Sequence, residues 1–307
     1  MLNNALYFRI NCLPSSNLYP WREPCMPNVI VFDIDGVLCW QKDVEFFNLD
    51  ELEIEHSECP VIVFSWTTMD YIHCFVPYLD VLIDYLINAG SRIAFFSAGP
   101  EYRNNVVIER LLIKLFGEER YKELKYYGQF EVFSPKDMRE SIPAQGELYA
   151  HYIKDLSIVL KDNETILDSI LIEDQSLYSA WDQRPCIVGL VLENLLYELK
   201  ETNFSKNAVY YLLGVFIEYF NNNPDFLPLK LWVENFFLEK NNQCSIHSQI
   251  EFNRQVCYVP QTTDPWVINL INSGLIEVQK KYPDAELFGS PNIAAKIVRP
   301  KKLKLNI

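Results

Sequence analysis

Two carboxylates one residue apart, Asp33 and Asp35, close the apolar run Val29-Ile30-Val31-Phe32 and are followed by Gly36. A β-branched and aromatic run without alternation predicts a strand buried on both faces, as in a parallel sheet. Carboxylates at the end of such a strand are costly unless a cation or hydrogen-bond donors hold them. The carboxyl ends of strands are also where open α/β sheets place their ligands. An acidic turn gives the same D-x-D-G pattern, so the reading depends on partners elsewhere. Two further predicted strands supply them: Arg92-Ile93-Ala94-Phe95-Phe96 runs into Ser97, and Ile170-Leu171-Ile172 runs into Glu173-Asp174. In one parallel sheet these ends converge on one edge. There an aspartate can attack phosphorus and form an aspartyl-phosphate. Mg²⁺ held by carboxylate oxygens offsets the repulsion between carboxylate and phosphate. A hydroxyl and a lysine can hold the phosphoryl oxygens, and a second acid two residues on can protonate the leaving oxygen.

The elements that must position these groups are partly legible. Val61-Ile62-Val63-Phe64 predicts a second strand or hairpin. The segment 78–87 is apolar at 79, 82, 83, 86 and 87, a core-facing helix with Pro77 at its start and Gly90 past its end. Strand, connection, helix and returning strand make a right-handed crossover. Residues 106–116 predict another helix, 126–140 mixed strand and turn, and 186–191 a further strand. After residue 203 the pattern turns helical, over 208–220, 229–238 and 265–282, the last with Asp264 as N-cap and Pro265 at the first helical position. The expected class is α/β: a Rossmann-like core with a central parallel sheet, a small β insertion in place of a large cap, and a helical C-terminal extension. The expected divisions are a proline-rich lead-in over 1–26, a core over 27–222, and the extension over 223–307.

A chain of 307 residues can bury a sizeable core, and its formal charge of −14 argues against general affinity for nucleic acid. Eight cysteines include no C-x-x-C pair and the four histidines are scattered, so a structural zinc site is not expected. Cys39, close to the acidic pair, lacks the glycine-rich, arginine-containing loop of a thiol phosphatase. The start has no basic region followed by an apolar run, and 209–220 is too short to span a bilayer, so a soluble, cytoplasmic protein is expected.

Asp33-Ile34-Asp35-Gly36-Val37, Ser97 after its strand, a lysine, and the acidic pair at 173–174 together resemble the four motifs of the haloacid dehalogenase (HAD) superfamily of phosphatases. Tyr152-Ile153-Lys154-Asp155-Leu156-Ser157 is similar to a segment of the HAD protein phosphatases that act on the polymerase carboxy-terminal domain. The likeness covers roughly residues 27–200. It implies Asp33 as nucleophile and Mg²⁺ ligand, and Asp35 as general acid/base with its backbone carbonyl on the metal. It implies Ser97 and Lys154 as phosphoryl ligands and Asp174 as the last metal ligand. Lys136 and Lys161 are rivals for the lysine role, and Glu173 for the last acid, because an alternating strand end points only one of two successive residues inward. Gly36-Val37 is closer to the wider superfamily, and Gln175 and Leu177 stand where the narrower family has asparagine and proline.

No stretch between the motifs is long enough for a large cap, which favours a macromolecular substrate, a phosphoprotein by the resemblance. Trp40, Phe46, Phe47 and Trp66 are candidates to wall a deep slot suited to phosphotyrosine. Small phosphate esters, or phospho-binding without turnover, are the alternatives. The tail places Lys296, Arg299, Lys301, Lys302 and Lys304 among apolar residues, a pattern able to meet anionic lipid. A helical addition with a basic tail also resembles bacterial effector phosphatases delivered into host cells, which implies secretion and peripheral membrane association.

Overall fold

The computed structural model describes residues 28–43, 60–66, 69–140, 152–173, 178, 206–223, 227–241, 249–252, 255–258 and 265–287. Its centre is a four-stranded sheet of β1 (Val29–Phe32), β5 (Arg92–Phe96), β6 (Phe130–Phe133) and β9 (Ser169–Ile172). The order is β6-β5-β1-β9 and every pairing is parallel. All four residues of β1 are buried, as a strand with neighbours on both edges and layers on both faces requires. Phe32 is level with Phe95 on one side and Ile172 on the other. The residues that follow these three therefore leave the sheet at one edge. The α/β class with a central parallel sheet is what the sequence predicts.

Between β1 and the next sheet strand lies an antiparallel sheet of β2 (Cys39–Asp43), β3 (Val61–Trp66) and β4 (Met69–Phe75), in the order β2-β4-β3. This is the small β insertion. Helix α1 (Leu79–Asn88) follows and buries Leu79, Leu82, Ile83 and Leu86. Pro77 lies before its N-cap, Tyr78, which adopts a left-handed φ of 59°. That conformation costs a non-glycine residue roughly 1–2 kcal/mol. Tyr78 is held there by stacking on Tyr210 with ring centroids 5.8 Å apart, and by Tyr282 at 5.1 Å.

Helix α2 (Glu101–Phe116) starts five residues before the predicted 106. Its first turn carries no apolar stripe because Arg103 and Asn104 are buried there for polar contacts, so periodicity misses it. Helix α3 (Glu118–Tyr126) is unpredicted for a similar reason: it buries Tyr121 alone. Strand β6 falls in the 126–140 stretch, which continues through a 3₁₀ turn at Pro135–Asp137 into β7 (Arg139–Glu140). That strand pairs with β8 (Tyr152–Ile153), and the one-turn helix α4 (Leu156–Val159) follows.

The C-terminal helices are α5 (Lys206–Asn221), α6 (Leu229–Asn241) and α7 (Pro265–Gln279), with a hairpin of β10 (Gln249–Phe252) and β11 (Gln255–Tyr258) between the last two. Residue 222 falls just past the end of α5. Phe32, Ile170, Tyr210, Val233 and Leu270 belong to one apolar cluster, so sheet and C-terminal helices share a core. The crossing of α5 and α7 is set by two glycines. A Cβ on Gly214 would lie 2.0 Å from the Leu270 carbonyl oxygen, and one on Gly274 would lie 1.9 Å from that of Tyr210. Only backbones without side chains approach this closely. No helix among the described residues is long and apolar enough to cross a membrane. The lead-in over 1–26, the strand expected over 186–191, Asp264 and the basic tail lie outside the described residues.

Candidate active site

The carboxyl edge of the sheet gathers four of the predicted groups, Asp33, Asp35, Ser97 and Lys154. Asp33 follows β1, donates its backbone N–H to the Ile172 carbonyl at 2.9 Å, and is 5 % exposed. Lys154, at the end of β8, is 0 % exposed, with Nζ 2.8 Å from Asp33 Oδ1 and 2.5 Å from Glu173 Oε2. Its backbone N–H donates to the Tyr178 carbonyl at 2.6 Å, and Nζ stands 5.1 Å from the centre of the Tyr178 ring. Ser97, after β5, donates from Oγ to Asp35 Oδ2 at 3.0 Å and accepts the Gly99 N–H at 3.0 Å.

The rival lysines are elsewhere. Lys136 is exposed and pairs with Glu101, and Lys161 pairs with Glu131 at 3.1 Å. Of the two successive acids, Glu173 is buried against Lys154, while Asp174 lies outside the described residues. Phe46 and Phe47 lie outside them as well, and Trp40 and Trp66 are described only as members of their strands.

One principal feature escaped sequence reasoning. Arg103, in the first turn of α2, clasps Asp35 with both ends of its guanidinium, Nη1 to Oδ1 at 2.8 Å and Nη2 to Oδ2 at 2.5 Å. Asn104 fixes the loop by donating from Nδ2 to the Gly99 carbonyl at 2.9 Å and to Ser134 Oγ at 3.3 Å. Cys39 Sγ lies 3.9 Å from Asp35 Oδ1. The only available signal was the polar, charged turn directly after Ser97-Ala98-Gly99-Pro100.

The electrostatics separate the two aspartates. Burial pushes the Asp33 carboxyl above its ordinary value, and the pull of Lys154 does not fully offset it. Burial acts on Asp35 in the same direction, but Arg103 and then Ser97 outweigh it and hold this carboxyl low. Burial disfavours the Lys154 ammonium, yet Asp33 and Glu173 outweigh that and keep its proton above the usual lysine range.

Three carboxylates, Asp33, Asp35 and Glu173, face two cations, Lys154 and Arg103. A buried carboxyl held above its ordinary pKa beside an excess of negative charge is a setting that a further cation would stabilise. Among the described residues no three His, Cys, Asp or Glu side chains could hold a metal by themselves. Mg²⁺ asks for less: one or two carboxylates, with waters and phosphate oxygens completing its shell. The oxygen donors here fit that requirement.

The chain thus carries a carboxylate, hydroxyl and lysine cluster at the carboxyl edge of a parallel α/β sheet. No protein-family profile matches its sequence, and no curated protein is significantly similar to it. In structure it is similar, at low identity, to the fission yeast RNA polymerase II CTD phosphatase Fcp1 in a variant bound to beryllium fluoride. That match has 12% identity and a TM-score of 0.33 over 85% of this chain and 68% of the other. A second similar structure, described as Fcp1, an essential RNA polymerase II CTD phosphatase, has 11% identity and a TM-score of 0.34 over 92% of this chain and 70% of the other.

Proposed function

We propose that the chain is a Mg²⁺-dependent phosphomonoesterase of HAD type that acts on phosphoproteins through an aspartyl-phosphate on Asp33. The observation that carries this reading is the contact of buried Lys154 with Asp33, beside Ser97 and Asp35 at one sheet edge. Lys154 orients the Asp33 carboxylate and offers positive charge to the phosphoryl oxygens that approach it. Ser97 Oγ can donate to a phosphoryl oxygen from the end of β5. Asp33 Oδ attacks phosphorus, the phosphorus–ester oxygen bond breaks, and the leaving oxygen takes a proton. In this reading Asp35, freed from its partners, gives that proton and takes one back from the water that later attacks the aspartyl-phosphate. Bound Mg²⁺ would neutralise phosphate charge, held by Asp33, the Asp35 carbonyl and an acid of the 173–174 pair, Asp174 by the resemblance.

Phosphotyrosine is the favoured substrate class over phosphoserine and phosphothreonine. Tyr102, one residue before Arg103, is 66% exposed and its ring leans on buried Phe64 with centroids 5.8 Å apart, an exposed aromatic side chain for an aryl ester to meet. The test is phosphate release from phosphotyrosine and phosphoserine peptides, with Mg²⁺ or EDTA, by wild type and Asp33→Asn. Release that requires metal and vanishes in the variant is expected. Equal release in EDTA or by Asp33→Asn would overturn the nucleophile.

A further inference from the structure

The Asp35–Arg103 clasp creates a difficulty for any chemistry at Asp35. Both carboxylate oxygens are engaged, Oδ1 by Nη1 and Oδ2 by Nη2 and Ser97 Oγ, so putting a proton on this acid works against the clasp. The two partners differ in what opening costs them. The Arg103 side chain is 8% exposed and needs an anion wherever it goes, whereas the Asp35 side chain is 39% exposed and can be hydrated once released. A phosphoryl group meeting Ser97 Oγ and Asp33 arrives within reach of the same guanidinium. Two of its non-bridging oxygens match the planar fork as well as a carboxylate does.

Gly99 is the second observation. The Arg103 guanidinium lies directly over it: a Cβ there would stand 1.7 Å from Nη2 and 2.6 Å from Cζ. The missing side chain is the space in which the fork rests. Gly99 also donates its N–H to Ser97 Oγ, so the fork, the glycine and the hydroxyl form one small cradle.

We infer that Arg103 is a phosphate-binding residue in an exchangeable clasp, moving from Asp35 to the phosphoryl oxygens of the incoming monoester over the space left by Gly99. This deepens the phosphatase reading and rests on it for the substrate, while the anion exchange itself can be read without turnover. In the resting chain the fork occupies the second acid; with phosphate present it holds the anion, and Asp35 faces the leaving oxygen. No bond is made or broken in the exchange.

The experiment is calorimetric binding of inorganic phosphate, in Mg²⁺, to the full chain as wild type, Arg103→Gln, Arg103→Lys and Gly99→Ala, alongside monoester hydrolysis. Gly99→Ala keeps every charged group but expels the guanidinium from its cradle, so it reports position rather than charge. Phosphate affinity should fall tenfold or more in Arg103→Gln, with Arg103→Lys intermediate, and should change several-fold in Gly99→Ala, which removes the resting place of the fork. Affinity unchanged in both Arg103→Gln and Gly99→Ala, or no phosphate binding by wild type, would overturn the inference. Hydrolysis by wild type with affinity indifferent to Arg103 would overturn the clasp and leave the phosphatase reading standing. Arg103-dependent phosphate binding in a chain that hydrolyses no monoester would support the clasp and remove the phosphatase reading.

Discussion

Lys154 Nζ lies 2.8 Å from Asp33 Oδ1, and the lysine is wholly buried. The same ammonium contacts Glu173, so one cation keeps two buried carboxylates in place. The pair therefore serves folding, and under the proposed mechanism chemistry as well, and the two roles separate by mutation.

Lys154→Met leaves Asp33 and Glu173 buried without their shared cation. Removing one partner of a buried pair costs roughly 3–5 kcal/mol, and urea unfolding should show a loss of that order. Adding Glu173→Gln should recover much of the stability, while phosphate release stays absent. Full activity in the double variant would sink the assignment of Lys154.

Arg92 provides a contrast at the opposite end of β5. Its guanidinium is buried, with Nε 2.7 Å from Glu164 Oε1, Nη2 2.5 Å from Oε2 and 2.6 Å from the Val159 carbonyl. Arg92→Met should cost roughly 3–5 kcal/mol by stranding Glu164, with kcat per folded molecule unchanged. A fall in kcat at full folding would connect this pair to the site.

His73, on β4, is buried beside the Phe64 ring, with centroids 6.4 Å apart. Burial first, and the charge of Arg103 second, pull its pKa from 6.5 to about 4. Between those values the unfolded chain binds a proton that the folded chain refuses, so stability rises with pH there and is lost on acidification. The loss at the acid end is about 3 kcal/mol. In unfolding measured from pH 7 to pH 4, His73→Phe should flatten the slope; an unchanged slope would assign the acid sensitivity elsewhere.

The α5–α7 crossing should not tolerate a side chain. Gly274→Val would drive its Cβ into the Tyr210 carbonyl, whose nearest atom is 1.9 Å from an ideal Cβ. Overpacking of this kind costs about 1–3 kcal/mol or more, and the clash is with backbone, which yields least. Thermal unfolding should show a clear fall in Tm. An unaltered Tm would mean that the helices can separate without loss.

What the sequence determined was set by neighbours along the chain. The uninterrupted apolar run of Val29–Phe32 makes a buried strand whichever layers cover it, and Asp33 and Asp35 are bonded to its end. Ser97 follows its strand in the same way, so both groups reach the sheet edge once the strands pair in parallel. Lys154 was recognisable from its local segment, but its separation from Lys136 and Lys161 required the fold, which buries the first against Asp33 and leaves the other two on distant glutamates. Only tertiary structure decided that Glu173 faces Lys154. It alone brought Arg103 to Asp35 across 68 residues, and it alone joined Gly214 to the α7 backbone. The physical reason is shared by all three. Strand burial and turn chemistry are short-range properties of the chain, whereas a buried charge takes its partner, and a glycine its purpose, from whatever the packed helices bring against it.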